Sequence, residues 1–157
     1  MDFYQLLPNI WICILRPNAN QIENFVPKVT LKQFASQHKI TKLIKAHKDL
    51  DFFGKSSNYI DIIKTQMERD EIKKLYSYLL NTSKKIFDFY SQGENTLIIS
   101  GYDMYKSLSI ISTFLIKYDD MNITQSINSI KTKIHYPINI PNNYNKTLIL
   151  VEKLDSN

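Results

Sequence analysis

The stretch TLIISGYDMYKSLSIISTFLIKY, residues 96–118, constrains the fold more than any other part of the chain. Its apolar beginning predicts a buried strand over residues 95–100, and its end predicts a helix over residues 107–118. Only a short polar loop separates the two elements. This arrangement is a common framework for an anion site, because backbone N–H groups converge at the positive end of the helix dipole.

Strands and helices alternate along the whole chain. We predict further strands over residues 9–15, 39–46 and 58–64, and further helices over residues 30–38, 69–90, 122–133 and 144–154. The 122–133 helix begins at an Asn122 cap, and the 69–90 helix has a candidate break at residues 81–83. This order predicts one α/β domain over residues 1–157, with a central, largely parallel sheet flanked by helices. In such sheets ligands bind beyond the carboxyl ends of strands, where the loop after residue 100 is placed.

The composition limits the class of protein. Hydrophobic residues make up 43% and charged residues 22% of the chain, which is typical of a soluble globular protein and excludes general disorder. The single cysteine, Cys13, excludes an internal disulfide and is predicted to be a buried structural thiol. We expect no metal, no cofactor, no membrane span and no signal peptide, and therefore a cytoplasmic protein. Richness in Lys, Asn, Ile and Tyr favours an A/T-rich genome, such as that of a virus or parasite. If the source is a virus, we expect the protein in the virion or the host cytoplasm.

The net charge of +5 is carried almost entirely by lysine. Arginine, the usual residue for bidentate phosphate recognition, occurs only as Arg16 and Arg69. The lysines are scattered along the chain, which favours a basic solvated surface over a nucleic-acid interface.

A resemblance to a known family emerges from the residues after the loop. The segment SIISTFLIKYDDMNITQSINSIKTKIHYPINIPNN, residues 109–143, resembles the helix, turn and P-x-I-x-P-N segment of dual-specificity protein phosphatases, members of the cysteine-dependent tyrosine phosphatase class. LILVEKL, residues 148–154, is similar to the family's closing helix, and the predicted early strands fit more loosely. The resemblance covers nearly the whole chain and is specific from about Leu97 onward.

The loop departs from the signature of that family. The signature is a strand that ends in His-Cys, five further residues of which the third is glycine, and then Arg-Ser/Thr at the start of a helix. In this chain Ile99 stands at the histidine position and Ser100 at the cysteine position. Asp103 replaces the glycine and Lys106 the arginine, whereas Ser107 matches and is predicted to cap the helix.

These replacements affect each step of the chemistry that the resemblance implies. In the family a thiolate attacks phosphorus and the arginine clamps two phosphate oxygens, but a serine hydroxyl stays protonated without an adjacent base. Lys106 lacks the planar fork of arginine. A carboxylate at Asp103 would repel a phosphate dianion by about 4 kcal/mol at a separation of roughly 4 Å near a protein surface.

The resemblance also implies an aspartic acid that protonates the leaving group, positioned at residues 64–67. No carboxylate occurs there, although Asp61, Glu68 and Asp70 are near. Asp70 is predicted to lie in the first turn of the following helix, where a carboxylate favours the helix dipole.

We therefore expect a catalytically inactive phosphatase-like protein, a pseudophosphatase, that binds a protein partner and serves as a regulatory or structural module. A phosphoprotein is one candidate partner. The candidate partner or anion contacts are Tyr102, Met104, Tyr105 and Lys106, although the tyrosines could instead fill the cleft. Two alternatives remain open: a weak or atypical phosphatase that uses Ser100 or water, and a protein that binds phosphate groups or RNA ends.

Overall fold

The structure is a computed structural model that describes residues 2–15, 25–46, 61–64, 72–101, 104–135 and 138–155. In chain order its elements are β1 Asp2–Leu7, β2 Ile10–Ile14, α1 Phe25–Gln37, β3 Lys42–Lys45, β4 Asp61–Lys64, α2 Ile72–Ser91, β5 Thr96–Ser100, α3 Tyr105–Tyr118, α4 Ile123–Lys133 and α5 Asn142–Asp155. The chain divides into two compact units, residues 1–66 with 89–102 and residues 67–88 with 103–157. None of the described helices is both long enough and apolar enough to cross a bilayer.

The described residues of the first unit form a five-stranded sheet in the order β1-β2-β5-β3-β4. Strands β2, β5, β3 and β4 are mutually parallel, and only β1 pairs in the antiparallel direction with its neighbour. The predicted α/β class with a largely parallel sheet is therefore confirmed. Because β5 inserts between β2 and β3, its carboxyl end is flanked on both sides by the ends of parallel strands.

Buried apolar side chains on both faces explain why β2 and β5 read as continuous apolar runs. On one face Cys13, Leu97 and Ile99 pack with Leu31 and Ala35 of α1. The side chains on the opposite face are also buried: Ile12 and Ile14 of β2, Ile98 of β5 and, on the neighbouring strand β3, Ile44. The prediction that Cys13 is a buried thiol is confirmed, and burial raises the pKa of this thiol to about 12.

Strand β1 is absent from the elements that the sequence predicted. It forms a hairpin with β2 in which Leu7 pairs with Ile10 across a two-residue turn, and the Gln5 Nε2 donates to the carbonyl oxygen of Pro8 at 2.9 Å. Strand β1 ends at Leu7, immediately before Pro8. The residues before it pair all the same, because the proline lies in the turn and its missing N–H removes no ladder bond.

The second unit contains α3, α4, α5 and most of α2. The candidate break in α2 is wrong, since the helix runs without interruption from Ile72 to Ser91. The Ser83 side chain at that point is buried and donates a hydrogen bond to the Ile110 carbonyl oxygen at 3.2 Å, so tertiary contact overrides the weak helix propensity of residues 81–83. The predicted Asn122 cap is confirmed, with a reciprocal capping box to Gln125.

Candidate functional site

The loop that the sequence singles out begins at a firmly held point of the first unit. Ser100 is the last residue of the central strand, and its carbonyl oxygen accepts a hydrogen bond from the Leu15 N–H at 3.1 Å. On the other side the Ile99 carbonyl oxygen accepts from the Ala46 N–H at 2.8 Å. The carboxyl end of β5 is thus fixed by both neighbouring strands, at the sheet edge where ligands of parallel α/β sheets bind.

The Ser100 hydroxyl is hydrogen-bonded to the backbone of the next residue. The residue is 1% exposed, and its Oγ donates a hydrogen bond to the Gly101 carbonyl oxygen at 2.9 Å. An amide carbonyl is a hydrogen-bond acceptor but not a base that can remove the hydroxyl proton. This hydrogen bond therefore does not activate the hydroxyl as a nucleophile.

His38 lies at the opposite edge of the sheet. The Nδ2 atom of Asn95, the residue just before β5, donates to the carbonyl oxygens of His38 and Lys39 at 3.3 and 3.2 Å. Ser100 ends the strand five residues later, which corresponds to roughly 16 Å of extended chain. The His38 ring instead packs on the Phe34 ring at 4.2 Å. His38 is therefore not positioned to serve Ser100 as a general base.

Lys45 is a buried lysine at the carboxyl edge that sequence reasoning did not single out. It is the last residue of β3, lies in register with Ile99 of β5 and is 6% exposed. A buried lysine is uncommon among soluble proteins. The signal was present in the sequence, because Lys45 follows the apolar pair Leu43 and Ile44 at the predicted end of a strand, but the scatter of surface lysines concealed it.

The second unit holds the other end of the loop. Met104, the residue before α3, has φ 60° and ψ −10° in the left-handed region, and no side chain caps the helix. Ser107 is the third residue of α3, and its Oγ donates to the Met104 carbonyl oxygen at 2.9 Å. The prediction that Ser107 caps this helix is therefore wrong: the helix begins two residues before it, because Met104 makes the turn in the left-handed conformation.

The four predicted contact residues differ in exposure. Met104 is 2% exposed, so its side chain is buried, and its role as a contact stays a prediction. Tyr105 is half-buried, and its ring packs edge-on against the Tyr144 ring with centroids 5.0 Å apart. Lys106 is also half-buried. Tyr102 lies outside the described residues.

Several other candidates lie outside the described part of the chain or have undescribed side chains. For Asp61 and Lys64 only the backbone, in β4, is described. The positions outside are Asp103, His47, Glu68, Asp70 and residues 65–67. The roles assigned to them from the sequence stay predictions. Within the described ranges, no three His, Cys, Asp or Glu residues are grouped so that they could hold a metal ion.

Comparison with solved structures identifies the fold. No family model matches the chain, and no curated protein matches it in sequence. A leucine rich repeat and phosphatase domain containing protein from Entamoeba histolytica superposes with a TM-score of 0.71 at 23% identity, over 97% of this chain and 91% of that chain.

Two mammalian structures give the same result. A mouse putative dual specificity phosphatase complexed with zinc tungstate has a TM-score of 0.75 at 12% identity, over 97% of this chain and 87% of that one. A human tyrosine phosphatase-like serine/threonine/tyrosine-interacting protein has a TM-score of 0.72 at 13% identity, over 99% and 98% of the two chains. The chain therefore has the fold of the dual-specificity phosphatases and related tyrosine phosphatases.

Proposed function

We propose that this protein is a catalytically inactive phosphatase-like protein, a pseudophosphatase, that acts by binding protein as a regulatory or structural module. The observation that carries the proposal is the state of Ser100. It ends the central strand of a phosphatase fold where the family signature has its cysteine, and its buried hydroxyl is bonded to the Gly101 carbonyl oxygen.

The chemistry of Ser100 supports inactivity. A thiol near cationic groups and a helix N-terminus ionises close to neutral pH, and its thiolate is the nucleophile of the phosphatase reaction. A hydroxyl in the same place needs a base beside it. His38 lies near the amino end of β5, so it does not supply that base.

The replacements farther along the loop support inactivity as well. Lys106 supplies a positive charge without the paired N–H groups that hold two phosphate oxygens at once. Asp103 adds a carboxylate where the signature has glycine, and its charge opposes that of a phosphate group.

Retention of the fold without the reactive groups favours a role for the surface of the protein. A human neighbour of this fold is described as a phosphatase-like, serine/threonine/tyrosine-interacting protein, which supports protein binding by analogy. The proposal includes a cytoplasmic location, where the thiol of Cys13 stays reduced.

Turnover measurements test the proposal. The purified protein is assayed with p-nitrophenyl phosphate and with phosphotyrosine and phosphothreonine peptides, alongside an active dual-specificity phosphatase. We expect no turnover above that of the Ser100→Ala variant. Turnover that either Ser100→Ala or Lys106→Ala abolishes would overturn the proposal, with loss in Lys106→Ala alone indicating a water nucleophile, whereas turnover that survives both substitutions identifies a contaminating enzyme.

A second candidate function, recognition of phosphate groups without turnover, is favoured by the start of α3. This helix has no side-chain cap, and Lys106 lies in its first turn. Helix N-termini bind anions through backbone N–H groups. The candidate ligands are phosphopeptides and RNA ends, and both require that the N-terminus of α3 binds a phosphate group.

A titration separates the two candidates. Tungstate, phosphopeptides and a 5′-phosphorylated oligonucleotide are added while the amide NMR shifts of the loop are followed. Saturable shifts that Lys106→Ala removes would establish phosphate recognition, and the exposed Lys117 at the other end of α3 supplies the matched Lys117→Ala control. Steep weakening with salt would mark a nucleic-acid end as the ligand. No shifts at millimolar ligand would restrict function to other faces of the protein.

A further inference from the structure

The outer face of α5 exposes three large apolar side chains. Ile149 is 49%, Leu150 36% and Leu154 54% exposed. Among the side chains that the structure describes, the other exposed large apolar residues are Ile72 and Phe87, and both lie on α2. Single exposed apolar residues are normal, but three on one helix face indicate an interaction surface.

The exposed residues occupy one stripe of the helix. At 100° per residue, Lys146, Ile149, Leu150, Lys153 and Leu154 fall within a single arc, which we call the α5 stripe. The buried residues of the same helix occupy the other side: Tyr144, Thr147, Leu148 and Val151. The apolar residues of the α5 stripe are therefore not part of the core that holds the helix in place.

Contacts inside the second unit fix the orientation of the α5 stripe. The Tyr144 ring packs against the Tyr105 ring of α3 at 5.0 Å. The Glu152 carboxylate accepts a hydrogen bond from the Ile123 N–H, at the start of α4, at 3.2 Å. The helix is held on its inner side by both α3 and α4, so within this unit the stripe faces away from them.

The charge of the α5 stripe is positive. Lys146 and Lys153 are both exposed and lie two turns apart, about 10.5 Å along the axis. Glu152 and Asp155 are the two acidic residues of α5: the Glu152 carboxylate accepts from the Ile123 N–H on the inner side, and position 155 falls outside the arc of the stripe at 100° per residue. The stripe thus combines apolar anchors with cations and carries no acidic group.

We propose that the α5 stripe docks an acidic amphipathic helix of a partner protein. The apolar residues of such a helix, spaced three and four apart, pack on Ile149, Leu150 and Leu154, while its carboxylates lie beside Lys146 and Lys153. Complementary charge favours this partner over a second copy, because two stripes face to face would oppose lysine with lysine. The inference rests on the proposed function, since it assumes that the protein acts by binding protein.

The test uses synthetic peptide helices of about three heptads, with Leu at positions a and d and either Glu or Lys at positions e and g. Binding of each labelled peptide to the full chain is measured by fluorescence anisotropy. We expect saturable binding of the Glu peptide only. Ile149→Ser combined with Leu154→Ser should weaken it about tenfold or more. Ile72→Ser on α2, which removes an apolar residue of 36% exposure, is the matched control and should leave binding unchanged.

A charge exchange provides the sharper experiment. Lys146→Glu combined with Lys153→Glu changes only exposed positions, so the fold is retained, and circular dichroism verifies this. We expect this variant to lose the Glu peptide and to gain the Lys peptide. Equal binding of both peptides to the wild-type chain, or no binding of either, would overturn the inference.

Two other outcomes would also overturn it. Binding to phosphatidylserine vesicles that the Ile149/Leu154 variant loses, without peptide binding, would identify a membrane surface as the occupant. A concentration-dependent dimer in sedimentation that the same variant dissolves would identify a second copy. Failure of the proposed function is separate, because it appears as phosphopeptide turnover, which no substitution in the α5 stripe affects.

Discussion

The Ser107 hydroxyl donates a hydrogen bond to the carbonyl oxygen of Met104 over 2.9 Å. The bond joins the third residue of α3 to the left-handed residue that precedes the helix. The same carbonyl oxygen accepts from the Leu108 N–H at 2.9 Å, so the turn is tied twice to the first turn of the helix. The left-handed conformation of Met104, at φ 60°, costs free energy because the residue has a Cβ atom. The two hydrogen bonds to its carbonyl oxygen help to maintain this conformation.

Removal of that hydroxyl should destabilise the protein. We expect Ser107→Ala to lower the free energy of unfolding by about 1 kcal/mol, the usual contribution of a neutral hydrogen bond. Urea unfolding should show a lower midpoint at an unchanged slope. Ser109→Ala is the control, because that buried hydroxyl donates to the Tyr105 carbonyl oxygen from the helix interior, where the higher helix propensity of alanine offsets its loss, whereas serine at Ser107, in the first turn, is not disfavoured in this way. Equal midpoints for both variants would contradict the prediction.

One pair of buried hydroxyls should show strong coupling. The Oγ atoms of Ser112 in α3 and Ser126 in α4 lie 2.5 Å apart, and both residues are buried. Because the Ser126 Oγ also donates to the Ile123 carbonyl oxygen at 2.8 Å, Ser112 is the donor within the pair.

We therefore expect Ser126→Ala to cost about 1–3 kcal/mol of unfolding free energy, since it removes the acceptor of a buried donor, and Ser112→Ala to cost less. The double variant should be more stable than the sum of the single effects predicts. A double-mutant cycle by urea unfolding measures this coupling, and additivity within about 0.5 kcal/mol would rule it out.

Local sequence signals specify much of the fold. The apolar runs that become β2 and β5 and the capping box at Asn122 and Gln125 act over short distances, so a single sequence reveals them. The continuity of α2 was not predictable in this way. It depends on the contact between Ser83 and the Ile110 carbonyl oxygen, residues 27 positions apart.

The location of the candidate site in the fold was predictable from the sequence, but its backbone conformation and burial were not. The sequence located Ser100 at the end of a buried strand, and the structure confirms this and adds that the strand is the central one of the sheet. It did not indicate the left-handed conformation of Met104, because residue type signals positive φ only for glycine and, more weakly, asparagine and aspartate. Nor did it indicate the burial of Lys45, which follows from the pairing of β3 beside β5.

Two helix ends with the same geometry should respond oppositely to substitution. After α1, Lys39 has φ 52°, and the Ile40 N–H donates to the Ala35 carbonyl oxygen at 2.8 Å; after α2, Gly93 has φ 75°, and the Glu94 N–H donates to the Phe89 carbonyl oxygen at 2.9 Å. Both are Schellman endings, in which glycine is the preferred residue.

We expect Lys39→Gly to raise the free energy of unfolding by about 1 kcal/mol, because it relieves the left-handed strain, and Gly93→Ala to lower it by a similar amount. A Cβ atom at Gly93 would meet nothing within 4 Å, so its effect is purely conformational. Thermal melts of both variants provide the measurement. A shift of the same sign in both would contradict the assignment of these endings.

Stability at alkaline pH should depend on Cys13. Burial raises the pKa of its thiol from the ordinary value of 9.0 to about 12, so the native state keeps its proton where the unfolded state has lost it. Between these two pH values the unfolded state binds fewer protons, and native stability therefore falls as pH rises, by up to about 1.4 kcal/mol per pH unit.

Other groups titrate in this range too, so the comparison is with Cys13→Val, which fits a strand and lacks a proton to lose. The unfolding free energy of the wild-type chain, measured in urea, should decline relative to that variant above pH 9.0 and hold constant relative to it below. A constant difference across the whole range would mean that the thiol ionises equally in both states and is not sealed from solvent.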